Sequence, residues 1–409
     1  MTRSMPQVER AAFLALAGCL GLIQNSIAGA EILLDVAGIL WLIVVIGERR
    51  RLSVPAFFWP LVGLAAWTLV SSAFSMDPFE SFKRDRQLLL YLIVPMTMTL
   101  ARGPRATTTA NVIIALGAAG AVVGIVQYAA LGYDNLHQRP HGLLGHYMTY
   151  SGVLMLVICV AAALLMFRER DWVWPAVAVP ALLVALYVTQ SRNAYVGVAL
   201  AIAVLLVLRR AWKLLIVVPV LAAIVVLAGP AGIRNRVFSA IDRNDATNRD
   251  RIAMLKSGKA MIADHPLTGV GPNMVPKAYI EKYKTPDAVD PEDKPNDTRA
   301  HLHNVPVQLA AERGLPALAL WLVFVVTAVV GLVGQFRRGR VRALAAGGVA
   351  AIVAMLTAGM FEHNFGDSEF LILFLGVITL PFAAAAPPAA GSRAPSPDPA
   401  PVPALRTHA

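Results

Sequence analysis

Residues 147–167 read YMTYSGVLMLVICVAAALLMF, twenty-one consecutive positions without a charged side chain. A helix of that length is about 31 Å long, the thickness of a bilayer's hydrocarbon core. Working outward, comparable apolar blocks fall near 11–29, 32–47, 56–74, 87–101 and 109–131 on one side. On the other they fall near 173–190, 194–208, 214–229, 315–335, 343–361 and 369–386. Twelve blocks at about 20 residues each use roughly 240 positions of the 409. Charged residues make up 15% of the chain, against about 25% in a soluble domain. Mean hydropathy is +0.61. These figures exclude a soluble enzyme, a secreted disulfide scaffold and a single-pass receptor. The fold class expected is an all-α polytopic membrane protein of about twelve transmembrane helices.

The first block lacks a small-residue cleavage site and reads as an uncleaved anchor. Cys19 and Cys159 lie inside apolar blocks, where a thiol behaves as a small hydrophobe. The net charge of +11 reports orientation, not nucleic-acid binding, because Lys and Arg collect on cytoplasmic loops. With the N-terminus inside, eighteen Lys and Arg fall on inner loops and tails, and six on the outer short loops (Lys83, Arg84, Arg86, Arg139, Arg192 and Arg313). The other twelve lie in 231–302, a loop too long to report orientation. Both termini are expected inside. Residues 1–230 then carry nine spans, 231–302 form one large outer loop, 303–386 carry three spans, and 387–409 form a disordered Ala/Pro-rich tail.

In the long loop, Arg234 to Ala263 carries Ile252, Leu255 and Ile262 among charges, a pattern that suits amphipathic helices along the surface. A Gly/Pro turn, HPLTGVGPN (265–273), follows, and 284–299 is polar with acidic, proline-containing segments expected to be mobile.

Polar groups at the outer ends of spans carry the functional reading. Arg192, in TQSRN (189–193), sits at the membrane boundary, where an ionisable side chain usually has a partner or a task. It either caps a helix or pairs with a carboxylate, or its fork grips phosphate oxygens. His137, His141 and His146 invite a metal hypothesis but lack cysteine or carboxylate support beyond Asp134. Arg139 is the stronger candidate there, as a phosphate or sugar contact. His303, in RAHLHN (299–304), is open to three readings: a satisfied buried group, a metal ligand or a general base. A last polar cluster is FEHN (361–364) with Asp367 and Glu369. No P-loop, nucleotide-binding glycine fingerprint or HExxH is present.

Ser191-Arg192-Asn193-Ala194-Tyr195, then Arg249 and Arg251 ahead of HPLTGVG (265–271), then Ala300-His301-Leu302-His303-Asn304 with Glu312-Arg313-Gly314, together resemble the O-antigen ligase/polymerase superfamily. These are bacterial inner-membrane glycosyltransferases, and the resemblance is strongest between 189 and 320. It implies a C-type glycosyltransferase (GT-C) architecture with the active site facing the periplasm. It implies a glycan donor on undecaprenyl pyrophosphate and membrane lipids as surroundings, with no cofactor. The single large outer loop looks most like the ligase branch, whose acceptor is the lipid A–core of lipopolysaccharide. The polymerase and protein O-oligosaccharyltransferase branches are the alternatives.

On this resemblance Arg139 and Arg192, helped by Arg84, Arg86, Arg249 or Arg251, would stabilise the leaving diphosphate in place of a metal. His303 would deprotonate the acceptor hydroxyl, with His301, Asn304, Glu312 and Asn364 in support, and a single displacement would invert the anomeric carbon. A transporter or lipid flippase is the reading from another class. It would place binding groups near the midplane and show repeated halves, whereas the polar groups here gather at one face.

Overall fold

A computed structural model describes residues 5–134, 138–167, 173–227, 234–235, 238–239, 242, 245–286, 288 and 301–386. Of the stretch 285–297 expected to be mobile, all but 285, 286 and 288 lie outside them, as do the tail 387–409 and His137. Among the described residues the chain is all helix. The first helices are α1 (Met5–Leu22), α2 (Ile27–Gly47), α3 (Phe58–Ala73), α4 (Pro78–Arg84), α5 (Ile93–Leu100) and α6 (Pro104–Leu131). They are followed by α7 (Tyr147–Phe167), α8 (Val173–Val188), α9 (Arg192–Leu208) and α10 (Val217–Leu227). Next come α11 (Ala246–Asp264) and a short helical stretch from Val275 to Tyr283. The chain ends in α12 (Val305–Arg338), α13 (Arg342–Gly359) and α14 (Ser368–Ala385).

Six of these are long and apolar enough to cross a membrane: α2, α6, α7, α12, α13 and α14. Shorter apolar helices accompany them, and the protein is a polytopic helical membrane protein. Two of the expected spans are not single α-helices. Block 87–101 is a 3₁₀ segment, Asp85–Leu92, running into α5, and block 214–229 begins as a 3₁₀ turn, Trp212–Ile216, before α10. A 3₁₀ stretch rises about 2 Å per residue, so residues 85–100 reach about 28 Å with few residues.

The centre of the bundle is α7 and α13, with 78% of the most apolar window of each buried, against 22% for α2. α2 turns Ile32, Val36, Ile39, Ile43 and Ile46 outward, a stripe suited to lipid tails. α13 reads RALAAGGVAAIVAMLTAG, and its small side chains let neighbouring backbones approach. Gly197 of α9, for instance, lies against Ala354. From that contact, α9 climbs five residues to Arg192 while α13 and its following loop climb eight to Glu362, so both reach the same end of the bundle.

The long loop builds a second core. Ala253, Met254 and Met261 of α11 are buried with Val270, Tyr279, Leu302 and Ala311. Of the apolar residues read there, Ile262 packs partly against this core and Leu255 is half-buried, while Ile252 is exposed. Small residues decide the register, since Gly258 sits against Val307 and Leu302, and the Ser257 hydroxyl donates to the Tyr283 carbonyl at 2.7 Å. α11 therefore packs on α12.

α12 is interrupted at Gly314, whose φ of 78° and ψ of 173° are non-helical. The break strips carbonyls of their helical donors, and the 266–271 turn supplies replacements. Val270 N donates to Ala311 O and Gly271 N to Glu312 O, each at 2.9 Å, and Leu315 N donates to Pro266 O at 2.8 Å. Trp67 Nε1 donates to Arg313 O at 2.9 Å. Backbones meet so closely that a Cβ on Gly314 would overlap the Leu267 carbonyl, and one on Gly269 would overlap Glu312. Gly314→Ala is therefore expected to cost more than about 4 kcal/mol, the range reserved for severe defects. Gly38→Ala, with open space around it, serves as the control. Thermal unfolding in detergent tests this, and equal melting of the two variants would contradict the clamp.

Candidate functional site

The clamp at Gly314 fixes what precedes it. Glu312 is buried, and its Oε1 accepts from Asn273 N at 3.0 Å and Gln308 Nε2 at 2.9 Å, while its Oε2 pairs with Arg313 at 3.0 Å. Gln308 Oε1 in turn accepts from Leu302 N at 2.6 Å. A carboxylate so enclosed positions its neighbours, and it leaves the Arg313 guanidinium at the edge of a cavity of about 170 Å³.

Asn304 begins α12 as its N-cap. Its side chain accepts from Val307 N at 3.0 Å and donates to Met360 O at 3.1 Å. Asn364 donates to Met355 O at 3.3 Å. Asn304 thus ties the start of α12 to the end of α13, Asn364 ties the loop after α13 back onto α13, and His303, just before the cap, has φ of 49°. A non-glycine residue pays strain in that region and stays only where its surroundings dictate it.

These ties bring Glu362 under both histidines. His301 Nε2 lies 2.7 Å from Glu362 Oε1, and His303 Nδ1 lies 3.1 Å from Oε2. The rings are 4.4 Å apart, edge to face. Glu362 is only 6% exposed. Burial alone would raise its pKa, but the hydrogen bonds and charges of His301 and His303 outweigh it and hold the carboxyl well below its ordinary value. Burial opposes the charge on His301 too, yet the bond to Glu362 and the fields of Glu362, Asp367 and Glu312 leave its pKa raised. His363 is pushed the other way, well down, by burial and then by His301, Arg313 and Arg84. Because Nδ1 of His303 is taken by Glu362, its Nε2 is the nitrogen available to a substrate proton. His301, His303 and Glu362 also place ligand atoms within 4.8 Å of one another, a donor set that suits a divalent cation.

Of the expected residues, the structure gathers His301, His303, Asn304, Glu312 and Asn364, with Arg84 lining the same cavity as His301 and Arg313. Arg139 stacks on Tyr147 at 4.1 Å and sits at the edge of this group. The pKa of His146 is lowered by burial first, and both Glu362 and Arg139 act on it. His141 is held in a turn, its backbone N–H donating to Gln127 Oε1 at 3.0 Å. Arg192 opens α9 and donates to Ser239 Oγ at 3.0 Å. Arg86 is exposed on the 3₁₀ segment and Arg249 on α11, while Arg251 is half-buried. Among the described residues, no hydrogen bond or ion pair joins Arg192, Arg86, Arg249 or Arg251 to the histidines.

The sequence marks Glu362, His363 and Asp367 as a polar cluster without a role, and Arg313 as an outer-face charge and part of the Glu312-Arg313-Gly314 motif, also without a role. The usable signal was an ionisable run at the outer end of an apolar span.

A helical membrane bundle with a carboxylate-bridged histidine pair at one end defines the class. Residues 177–322 match the sequence model of the O-antigen ligase family, and this match supports membership of the O-antigen ligase superfamily. Members of that family are glycosyltransferase-type enzymes that handle polysaccharide and lipid-linked substrates. The match takes in Arg192, the 265–271 turn, both histidines and Gly314, and ends before Glu362. The chain matches none of the curated proteins.

Asp367 gives a pH signature. Burial, then the charges of Glu362 and Glu369, push its pKa to about 7 from an ordinary 3.8. A folded-state pKa above the unfolded one means stability that is present below about 4 and lost as pH rises toward 7. Asp367→Asn should therefore gain melting temperature over the wild type progressively across that window, with the gap constant above it. A gap independent of pH would show that the carboxyl titrates normally.

Proposed function

We propose that this protein is an O-antigen ligase of the bacterial inner membrane. It moves a glycan from undecaprenyl pyrophosphate to the lipid A–core of lipopolysaccharide at the periplasmic face. The observation that carries the reading is the Glu362 carboxylate bridging His301 Nε2 and His303 Nδ1. Carboxylate-held imidazoles have a defined tautomer and orientation, as a general base needs. His303 Nε2 accepts the proton of an acceptor hydroxyl. The hydroxyl oxygen attacks the anomeric carbon as the bond to the diphosphate oxygen breaks, and the configuration inverts. Negative charge develops on the leaving diphosphate, and cations placed there lower the barrier.

Arg313 and Arg84 at the cavity are such cations; Arg139, which like Glu362 acts on His146, and Arg192 at the same end are further candidates. We assign the metal-free course because Glu362 is engaged by both imidazoles and the arginines supply positive charge. Beside the site, an apolar groove of about 410 Å³ is lined by Val305, Pro306, Trp321, Leu356 and Met360. Val305 follows the Asn304 cap directly, so a lipid tail seated there would bring its headgroup to the histidines.

The test compares variants at matched membrane abundance, with lipid-linked glycan and lipopolysaccharide core supplied in detergent. His303→Ala and Glu362→Gln should each lose at least about 10²-fold in transfer while donor binding persists. Arg192→Lys should remain impaired, because an ammonium does not reproduce the guanidinium fork. Normal transfer by His303→Ala would remove the base. Activity lost to a chelator and restored by a divalent ion would assign the triad to a metal instead. Lengthening of the lipid-linked glycan alone would identify a polymerase.

A further inference from the structure

At the end of the bundle opposite the histidines, a cavity of about 620 Å³ opens between the last turns of α7, α9 and α12 and the first turn of α13. Its floor is apolar, with Phe167 and Phe336 packed edge to face at 5.5 Å. Its walls carry four arginines, Arg209, Arg210, Arg337 and Arg342. Among the described residues no carboxylate lines the cavity or pairs with any of the four. All four are exposed.

Ordinary causes account for part of this. Cations belong on inner loops, and Arg209, Arg210 and Arg337 lie at the negative ends of α9 and α12. The helix-end cause does not explain Arg342. It is the first residue of α13, at the positive end of a helix, where a cation is disfavoured, and it stacks over Phe336 at 5.0 Å. Arg210, just past the end of α9, keeps its side chain in the cavity wall although its φ of 60° is a place usually given to glycine. Four guanidiniums converging on one half-apolar cavity need an anion with an apolar body.

We propose that this cavity binds the phosphate headgroup of an anionic phospholipid from the leaflet on that side, with the acyl chains leaving across Phe336 and Val333. The cavity volume falls in the range of small-molecule sites. Basic pockets between helices on the cytoplasmic side suit such headgroups. The site is a full helix length, about 25 Å, from Glu362, so its occupancy bears on the bundle and not on the reacting atoms.

Native mass spectrometry of the full chain, titrated with phosphatidylglycerol or phosphatidylcholine, reads the proposal directly. The wild type should retain phosphatidylglycerol preferentially. Retention should fall about fivefold for each arginine changed to Gln among Arg209, Arg210, Arg337 and Arg342. A control removing equal charge from the same end, Arg49, Arg51, Arg338 and Arg340→Gln, should keep it. If the fourfold variant fails to fold, the pair Arg210→Gln and Arg342→Gln carries the same comparison. Equal loss in the control would mean diffuse surface charge and overturn the site. Displacement of the lipid by millimolar inorganic phosphate would assign the cavity to a soluble anion and also overturn it.

Discussion

A helix that must break inside a membrane protein has to find new donors for the carbonyls it abandons, and that constraint organises this molecule. Gly314 breaks α12, and the amides of Val270 and Gly271 and the indole of Trp67 take up the carbonyls of Ala311, Glu312 and Arg313. An unpaired carbonyl in a water-poor setting costs a few kcal/mol, so the long loop cannot leave. It is pinned to the bundle by the backbone itself. The Ser71 hydroxyl adds a bond to Thr268 O at 2.6 Å, which extends the clamp to α3.

From that fixed point the site follows by short steps. The clamp seats Glu312, Glu312 seats Gln308, and Gln308 holds the backbone at Leu302 between the two histidines. The start of α12 is then tied to the end of α13 through Asn304, and Asn364 folds the following loop back onto α13. Glu362, from that loop, meets His301 and His303, from the end of the long loop. Residues 59 and 61 positions apart in sequence come together because two helix ends share their caps.

The broad class was legible because it rests on composition: apolar blocks of about twenty residues have few other uses. His303, Asn304 and Glu312, which the structure gathers at one end of the bundle, are singled out in the sequence by resemblance to a family pattern. The helical continuity of 85–100 was not legible, since apolar content does not separate a 3₁₀ from an α stretch. The buried face of α11 was legible only in part because small residues, Ala253, Ser257 and Gly258, mark a close-packed face as surely as Ile and Leu do. HPLTGVG reads as a turn and is one, and its Gly269 also lets two backbones touch, which composition alone does not show. The ionisable run around Glu362 marks the end of a span, but nothing in it shows which histidines it meets, because they arrive from another helix end.

Three histidines within one small cluster illustrate how burial and charge assign different tasks to one residue type. His301, bonded to a buried carboxylate, favours the imidazolium. His363 has no carboxylate bond to its ring and faces Arg313, Arg84 and His301, so it stays neutral. Environments that push like groups apart are the usual way a site separates a charged role from a proton-accepting one. If His301 carries the positive charge, Glu362 stays ionised, and its second oxygen remains an acceptor for the Nδ1 proton of His303. In the proposed transfer the base would then act beside a neutralised pair, which spares a nearby diphosphate the repulsion of a bare carboxylate. A buried glutamate in this position is compatible with an anionic donor only because the second histidine is there.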